Sequence, residues 1–409
     1  MKLATPRARI RFGAQEVLAS LKGFSGKVAI EDFEEKISRY LGVRHAIFTS
    51  SGKSALVLLL RALGAQEGDR IILASYNVPE VPAVLLSLGL VPVFVDVDRD
   101  TYNISPERVK DALKKGARFL LVTHLYGHPA DIDALLAMAQ DFEAIVIEDC
   151  AQALGARFKG KMLGSFGAGS IFSFGLMKNL NTLFGGLVAT NDQQVFEKVK
   201  SQTHLARRSY HLPYIKQAMV AGTLNIATSH PFFDFFAYPL IFLDGALGLD
   251  IAYKLAKMRP RTFETGGVCL DDIVLAPSKV AASLGLLGLE RLEHENNLRK
   301  ENANRLIEAL KDIQGVRYQK PLLDTEPVWT NFVICHPRRD ELRLRLLKRG
   351  IDSTKGYLVA CHRLFSDKAL LEGSFEESER LERENLYLPC HLDVTPKDIE
   401  KIRDVLSGL

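Results

Sequence analysis

Between Glu31 and Thr190 the chain repeatedly alternates a short apolar run with a segment that has the spacing of a helix. The apolar runs are too short for helices, and most are rich in β-branched or aromatic residues. The runs are Ala46–Thr49, Arg70–Leu73, Pro92–Val95, Phe119–Val122, Ala144–Ile147, Ser170–Ser173 and Gly186–Ala189. Short buried strands separated by helices are typical of a parallel sheet with crossover helices. The sequence therefore predicts an α/β fold with a mostly parallel, seven-stranded sheet flanked by helices.

The alternation ends near Ser201, and a chain of 409 residues is too long for one ordinary core. An irregular apolar stretch that contains several prolines follows, and then Ser278–Leu310 has the pattern of one long helix or two in series. Asn331–Ile334 reads as a strand and Pro396–Leu406 as a final helix. The predicted divisions are an N-terminal segment (1–28), a large domain (29–204), an apolar insertion or connector (205–270), and a long connecting helix with a small C-terminal α+β domain (271–409).

The charge balance and the cysteines exclude several classes of protein. The 53 basic and 49 acidic residues leave a formal charge of +4, spread along the chain, which does not favour binding to nucleic acid. Five scattered cysteines without a CxxC pair predict no metal site and fit a reducing compartment. The first residues lack the apolar core of a secretory signal, so we expect a cytoplasmic protein.

Lys178 is the candidate catalytic residue. It stands in the run Phe172–Leu180, just beyond a predicted strand and shortly before Gly185. Loss of hydration at such a strand end would lower the pKa of the amine and make it nucleophilic, as a Schiff base with a carbonyl compound requires. The alternative is an ordinary solvated lysine on a loop.

Asp149 and Gln152 follow the predicted strand Ala144–Ile147. Open α/β sheets bind ligands at the carboxyl ends of their strands, so a carboxylate there could face a heterocyclic nitrogen and an amide could donate to a ring hydroxyl. The alternative for Asp149 is that it caps a helix.

The run from Thr49 to Leu56 is a candidate anion site, because a strand end there turns into a helix. Backbone N–H groups of Gly52, Lys53 and Ser54 at the start of that helix could bind a phosphate. Ser173 could add its hydroxyl, or it could simply bond to backbone within its strand. The spacing G-x-x-x-x-G-K-[ST] is absent, so a nucleoside triphosphate loop is not indicated. An amine, a carboxylate, phosphate donors and a surface against the ring are what a protein supplies to pyridoxal 5'-phosphate (PLP).

The motifs that carry these residues resemble, in order and spacing, the DegT/StrS family of sugar aminotransferases, which are PLP enzymes of fold type I. The similarity is strongest over residues 28–205, resumes over 279–310 and is looser over 350–406. The matching segments are Phe33–Glu35, Leu41–Val43, Ser51–Gly52, Gly89–Asp98, His124–Gly127, Glu148–Ala153, Phe172–Phe174 and Lys178–Leu180, followed by Tyr357, His362 and Leu388–Pro389.

This resemblance implies roles for the candidate residues. Lys178 would be the Schiff-base lysine and proton shuttle, Asp149 would face the pyridine nitrogen, and Gln152 would face the ring hydroxyl. Ser173 and the backbone of Gly52, Lys53 and Ser54 would bind the phosphate. Family members usually take glutamate as amino donor, act on keto sugars attached to nucleotides in sugar biosynthesis, and work as homodimers.

Two other activities stay open within this resemblance. A sub-branch of the family has histidine in place of the lysine and performs dehydration, so Lys178 favours transamination over a dehydratase or lyase reaction. An aminotransferase that acts on a lipid-linked acceptor at the membrane surface is the other alternative.

The chain departs from the family pattern at three places. Lys53 stands where threonine is common, and Asn77–Val78 stands where a threonine and an aromatic residue are common. Stacking on the cofactor ring therefore falls to Tyr76, whose alternative role is core packing. The segment Asp271–Ser278 lacks the Gly-Tyr-Asn-x-Arg sequence whose asparagine reaches the partner subunit's phosphate in the family.

An apolar segment within 205–270 exceeds the family's usual connection and has four phenylalanines in five residues, between Phe232 and Phe236. Asp234, Pro239 and Asp244 interrupt the apolar run, so 230–243 suits a segment lying on an anionic membrane surface better than a spanning helix. The alternative is an enlarged dimer interface. Basic residues flank the segment in the sequence: Arg207, Arg208, Lys254, Lys257, Arg259 and Arg261.

Overall fold

The computed structural model describes residues 2–206, 211–249 and 269–408. Its helices are α1 (Ala14–Phe24), α2 (Ile30–Leu41), α3 (Gly52–Ala62), α4 (Glu80–Ser87), α5 (Pro106–Leu113), α6 (Ile132–Asp141), α7 (Gln193–Leu205), α8 (His211–Ala227), α9 (Tyr238–Ala246), α10 (Leu270–Ile273), α11 (Lys279–Leu310), α12 (Arg339–Lys348), α13 (Glu376–Glu384) and α14 (Pro396–Ser407). Short 3₁₀ turns occupy Leu125–Gly127 and Cys361–Arg363, and a π-helical turn occupies Phe233–Ala237.

The strands are β1 (His45–Thr49), β2 (Arg70–Ala74), β3 (Tyr76–Asn77), β4 (Val91–Val95), β5 (Phe119–Thr123), β6 (Ile145–Asp149), β7 (Arg157–Phe158), β8 (Lys161–Met162), β9 (Gly169–Ser173), β10 (Gly186–Thr190), β11 (Arg317–Tyr318), β12 (Thr325–Glu326), β13 (Phe332–Cys335), β14 (Val359–Ala360), β15 (Leu370–Leu371) and β16 (Asn385–Leu388). The main sheet has the order β1-β10-β9-β6-β5-β2-β4-β15. Strand β10 is antiparallel to both of its neighbours, and the other pairs are parallel.

The predicted fold class is confirmed: all seven expected strands lie in one mostly parallel sheet flanked by helices. An eighth strand, Leu370–Leu371, adds to the edge beside β4. Sequence pattern did not reveal it, because two residues carry no periodicity and the pairing comes from a segment almost three hundred residues away.

Parallel pairing brings the predicted site residues to one edge of the sheet. Strands β6 and β9 run parallel and end at Asp149 and Ser173. Strand β1 has the same direction as β9, since both are antiparallel to β10 between them, and it leads through Ser51 into α3. The three segments therefore end at the same edge, where open α/β sheets bind their ligands.

Two apolar cores cover the two faces of this sheet, because successive side chains of a strand point to opposite faces. Phe48, Leu120 and Phe172 belong to one core, whereas Ile47 and Phe119 belong to the other, which also buries most of α3. A third core, around Phe332, joins the end of α11 to α12 and α14. The division of the chain at residues 28, 204 and 270 stays a prediction.

Most of the described part of the predicted connector is helical: α8, the π-helical turn and α9 follow one another. The flanking basic residues of the sequence, within 207–210 and 250–268, lie outside the described residues. Among the described residues, none of the helices combines the length and the apolar character needed to cross a bilayer.

Candidate active site

Lys178 lies on the loop that joins β9 to β10, where its own N–H donates to the carbonyl of Gly175 at 3.0 Å. Its side chain is half-buried and lines a crevice at the sheet edge. Desolvation lowers the pKa of the Lys178 amine and outweighs the negative charges of Asp149 and Glu80, which raise it. The environment is therefore that of a partly dehydrated amine facing a carboxylate, rather than that of a solvated loop lysine.

Asp149 ends strand β6 and is buried. Thr123 on the neighbouring strand donates its hydroxyl at 3.3 Å, and the N–H of Ala151 donates at 3.0 Å. Burial raises the pKa of Asp149, while those two donors and the Lys178 ammonium lower it. No helix begins at Asp149 in the structure, so the capping alternative does not apply. The amine and the carboxylate, which the sequence places 29 positions apart, interact electrostatically.

Gln152 is buried three residues beyond Asp149. Its side-chain oxygen accepts a hydrogen bond from the N–H of Tyr126 at 3.1 Å, which fixes the orientation of the amide. The amide NH₂ must then point away from Tyr126, because the two ends of a carboxamide are opposite. Gln152 can thus present a donor, as expected from the sequence.

The turn before α3 forms an anion cradle. Ser51 caps the helix, and its side-chain oxygen accepts from the N–H of Ser54 at 3.1 Å, so that N–H is already satisfied. The N–H groups of Gly52 and Lys53, in the first turn, have no intrahelical acceptor. A methyl group in place of the Gly52 hydrogen would lie 3.0 Å from Cβ and 3.4 Å from Oγ of Ser173. Gly52 and Ser173 therefore face each other across the cradle.

The side chains of Ser54 and Lys53, in the same turn, have different surroundings. The hydroxyl of Ser54 is fully buried without a hydrogen-bond partner among the described residues. Lys53 is half-buried and lines a mostly apolar cavity with Phe184 and Tyr214. The anion cradle is thus formed mainly by backbone and by Ser173.

Tyr76 does not offer a ring face to a ligand. It is 1% exposed, and its hydroxyl bonds to that of Tyr126 at 2.9 Å and accepts from Asn385 at 2.9 Å. A residue that stacks on a ligand would expose that face when the site holds nothing. The expected stacking role for Tyr76 therefore has no support here, and its surroundings are those of the core-packing alternative.

A hydrogen-bonded chain behind Lys178 was missed by sequence reasoning. Thr330 donates to Asn179 Oδ1 at 2.9 Å, and Asn179 donates to Asn296 Oδ1 at 3.1 Å. Arg299 also donates to that oxygen of Asn296, at 3.1 Å. The chain fixes the loop that carries Lys178 against α11. Asn179 belongs to a segment that matches the family pattern, but nothing in the sequence linked it to residues more than a hundred positions away.

The crevice beside Lys178 is basic. Arg7, Arg9, Arg299 and His391 line it together with the lysine. Arg7 makes a two-pronged ion pair with Asp352, and Arg9 pairs with Asp393. Arg299 is mostly buried, and desolvation lowers its pKa although Glu295 at 3.6 Å opposes this. Burial lowers the pKa of His391 to about 4, so the cations of the crevice are the three arginines, and a group of arginines favours an anionic ligand.

One buried group of possible metal ligands, His124, Glu148 and Cys150, has another explanation. Glu148 accepts from the N–H groups of Gly164, Phe166 and Gly167. The N–H of Ala130 donates to Nδ1 of His124, so Nε2 carries the proton and donates to Glu148 at 3.2 Å. Burial raises the pKa of the Cys150 thiol, which keeps it protonated. This group ties strands together and leaves no free donor set for a metal.

The family model for the DegT/DnrJ/EryC1/StrS aminotransferase family matches residues 8–220 and 278–407. The chain belongs to this family. It is 30% identical over 371 residues to the dTDP-3-amino-3,4,6-trideoxy-alpha-D-glucose transaminase of Streptomyces venezuelae, a match that covers 89% of this chain and 83% of that protein. It is 35% identical over 184 residues to the GDP-perosamine synthase of Escherichia coli O157:H7, covering 44% and 50% of the two chains.

The fold agrees with this membership. The structure of S. venezuelae DesV in complex with a ketimine intermediate has a TM-score of 0.75 to this aminotransferase at 26% identity, over 99% of this chain and 98% of that one. The protein is a PLP-dependent sugar aminotransferase, and the predicted family, fold class and cofactor are confirmed. Residues 221–277 lie outside the family match.

The geometry of the sheet edge fits PLP. The turn before α3 suits a phosphate, because it is the start of a helix and because Gly52, without a side chain, lets the backbone come close to Ser173. The buried carboxylate of Asp149 and the dehydrated amine of Lys178 interact electrostatically at the same edge of the sheet. A phosphate, a ring nitrogen and an aldehyde would thus each meet a suitable partner.

Proposed function

We propose that this aminotransferase moves an amino group from glutamate to a keto sugar carried on a nucleotide, with Lys178 as its catalytic residue. The observation that carries the proposal is the electrostatic interaction between the half-buried amine of Lys178 and the buried carboxylate of Asp149, at the sheet edge where α3 also begins. Relatives named for dTDP- and GDP-linked sugars support the acceptor class.

Five groups would hold the cofactor. Ser173 and the N–H groups of Gly52 and Lys53 would bind its phosphate, Asp149 would face the ring nitrogen, and Gln152 would donate to the ring hydroxyl. PLP, when bound, supplies an aldehyde that takes up the amino group and a ring that accepts electrons. Asp149 would keep the ring nitrogen protonated, because a buried anion there stabilises the positive charge.

Lys178 has two tasks in this proposal. Its amine, with a pKa lowered by desolvation, is more readily deprotonated than that of an ordinary lysine and can attack a carbonyl carbon. Once displaced by the substrate's amino group, the same amine can take a proton from a carbon atom and return it to another atom. The hydrogen bonds of Asn179 to Thr330 and Asn296 hold the loop in place for both tasks.

The basic crevice would bind the anionic substrates. Arg299 is the candidate for the donor's α-carboxylate, because it lies in the same crevice as Lys178 and is the most dehydrated of the arginines that line it. A guanidinium can hold a carboxylate with two parallel hydrogen bonds. Its present partners, Asn296 at 3.1 Å and Glu295 at 3.6 Å, leave N–H donors for that contact.

The proposed function also includes an oligomeric state and a cellular compartment. We place the enzyme in the cytoplasm as a homodimer, as the resemblance to sugar aminotransferases implies. A peripheral contact of 230–243 with the inner face of the membrane is part of that proposal.

The test is a two-stage assay with the purified, PLP-loaded protein. Addition of glutamate alone should convert the cofactor to its amine form and release 2-oxoglutarate, as absorbance and product analysis would detect. A panel of dTDP- and GDP-linked keto sugars should then return the cofactor to its aldehyde form and yield an amino sugar. PLP binding without any reaction with an amino acid would instead favour the dehydratase or lyase alternative, and absence of PLP binding would refute the proposal.

A further inference from the structure

Residues 212–249 comprise α8, the π-helical turn and α9 in succession; we call this segment the hairpin, and side chains on its inner side fix it to the body of the enzyme. Asp234 accepts hydrogen bonds from the N–H groups of Leu3 and Ala4 and pairs with His230 at 2.9 Å. Tyr238 donates its hydroxyl to the carbonyl of Leu347 on α12. The hairpin is therefore an ordered part of the surface with a defined outer side.

The outer side of the hairpin is apolar. Twelve of the 23 exposed large apolar side chains among the described residues belong to this segment of 38 residues, and we call these twelve the patch. Leu240, Leu243 and Leu247 share one side of α9, and Phe236 and Leu240 are 60% and 69% exposed. The twelve are Leu212, Ile215, Met219, Val220, Ile226, Phe232, Phe235, Phe236, Leu240, Leu243, Leu247 and Leu249.

Charge is almost absent from the hairpin but abundant beside it. Between 212 and 249 only Lys216, Asp234 and Asp244 are acidic or basic, and Asp234 is turned inward. Helix α12, on which α9 packs, has four basic residues and two acidic ones, and a further arginine stands directly before it and directly after it. In the sequence, Arg207 and Arg208 precede the hairpin and four further basic residues follow it before 262.

Eight of the twelve exposed side chains lie outside the residues that match the family, and the other four, between Leu212 and Val220, lie within them. Residues 221–277 lie outside the family match, and they carry the three exposed phenylalanines and all of α9. A dimer contact common to the family would use surfaces within the matched residues. An apolar platform with a basic border, by contrast, complements a layer of acyl chains beneath anionic head groups.

We infer that the outer side of the 212–249 hairpin docks onto an anionic lipid bilayer, with Phe232, Phe235, Phe236 and the leucines of α9 inserted below the head groups. The helices lie along the surface and do not cross it. This inference does not depend on the proposed chemistry, because it concerns only where the enzyme meets its substrates.

The test is co-sedimentation of the PLP-loaded, full-length protein with vesicles. The wild type should sediment with vesicles of phosphatidylglycerol and phosphatidylcholine, less with phosphatidylcholine alone, and less again as salt screens the charges. The double variant Phe235→Ser/Phe236→Ser should bind the anionic vesicles about tenfold more weakly, since two inserted rings are lost. Leu240→Ser/Leu243→Ser should behave likewise, and Leu323→Ser, at an 87% exposed leucine outside the patch, should bind as the wild type does.

Light scattering of the same proteins without lipid decides between a bilayer and a second copy of the chain. We expect the double variants to keep the wild-type mass. A fall from dimer to monomer in those variants would assign the patch to the twin chain and overturn the inference. It is equally overturned if the wild type stays in the supernatant, binds neutral vesicles as well as anionic ones, or binds no better than the variants.

Discussion

At Lys178 two opposing influences act on one amine. Desolvation lowers its pKa, whereas Asp149 and Glu80 raise it, and desolvation prevails. The balance leaves a lysine that loses its proton at a lower pH than usual while keeping an anion beside it. If Lys178 holds the cofactor as proposed, capture of PLP needs its neutral amine, and this balance would set the pH at which the protein takes up PLP.

The rate of PLP uptake by the cofactor-free protein should therefore fall as the pH drops through the pKa of Lys178. Asp149→Asn removes a charge that raises this pKa, so the acidic limb of the profile should move to lower pH. Stopped-flow absorbance over a series of pH values measures the rate of PLP uptake and so locates the acidic limb. Asp111→Asn, at an exposed helical carboxylate, is the control, and a limb that moves to higher pH in Asp149→Asn would contradict the assigned contact.

A second prediction at the residue scale concerns Arg299 and the binding of glutamate. Arg299→Gln should raise KM for glutamate about tenfold or more, since a charge-assisted hydrogen bond to a carboxylate is lost, and should change kcat less. Arg299→Lys should recover part of the loss. Steady-state kinetics with varied glutamate at saturating acceptor separate the two constants. An unchanged KM with a lowered kcat would show that Arg299 only supports the loop of Lys178.

At the scale of elements, the start of α3 and the end of β9 act as one unit. The helix supplies the N–H groups of its first turn, the strand supplies the Ser173 hydroxyl, and Gly52 lets the two elements approach. A side chain at position 52 would fill the space in which a phosphate could lie.

Gly52→Ala should weaken PLP binding about tenfold, because the added methyl group meets Cβ of Ser173 at 3.0 Å. Titration of the cofactor-free protein with PLP measures the Kd. Gly222→Ala is the matched control, since a methyl group there meets nothing within 4 Å. Tight binding in Gly52→Ala would place the phosphate elsewhere.

Elements with a strong local signal could be predicted from the sequence, and those that depend on distant partners could not. The strands ending at Asp149 and Ser173 were predictable, because a short, mostly buried run with β-branched or aromatic residues at its centre is distinctive. The strand Leu370–Leu371 and the helices α8 and α9 were not, since two residues have no period and the hairpin is apolar on more than one side. Tyr76 was assigned to a ring face because sequence cannot tell a buried aromatic residue from one that lines a site.

At the scale of the whole molecule, the site depends on segments from both ends of the chain. Arg7 and Arg9 near the start meet Arg299 and His391 near the end in the crevice of Lys178. Asp398 on α14 anchors the start of the chain through hydrogen bonds from Lys2 and Thr5. None of these contacts has a local signature in the sequence, which is why the crevice could not be predicted.

The hydrogen bonds to Asp398 make the free energy of unfolding depend on pH in the acid range. Burial raises the pKa of Asp398, but hydrogen bonds from Lys2, Thr5 and Thr395 prevail and lower it to about 2. A carboxylate whose pKa is depressed by folding stabilises the protein above its unfolded pKa of 3.8, and this contribution is lost as the pH falls towards 2. Asp398→Asn should therefore cost about 1–2 kcal/mol of unfolding free energy at neutral pH.

Urea unfolding measures this difference in unfolding free energy. Wild type and Asp398→Asn are compared at neutral pH and at pH values approaching 2. The difference between the two proteins should shrink in the acid range. Asp393→Asn, at a more exposed ion pair with Arg9, is the control and should change stability less. A difference that stays constant with pH would exclude the carboxylate as its source.

The chemistry proposed for this enzyme requires that Lys178 is the amine that holds the cofactor, and reductive trapping tests that requirement. Sodium borohydride is added to the PLP-loaded protein, which is then digested, and the modified peptide is sequenced by mass spectrometry. We expect a stable pyridoxyl group on Lys178 and none on the Lys178→Ala variant. A pyridoxyl group on Lys53 or another lysine, with Lys178 unmodified, would show that the cofactor is held elsewhere.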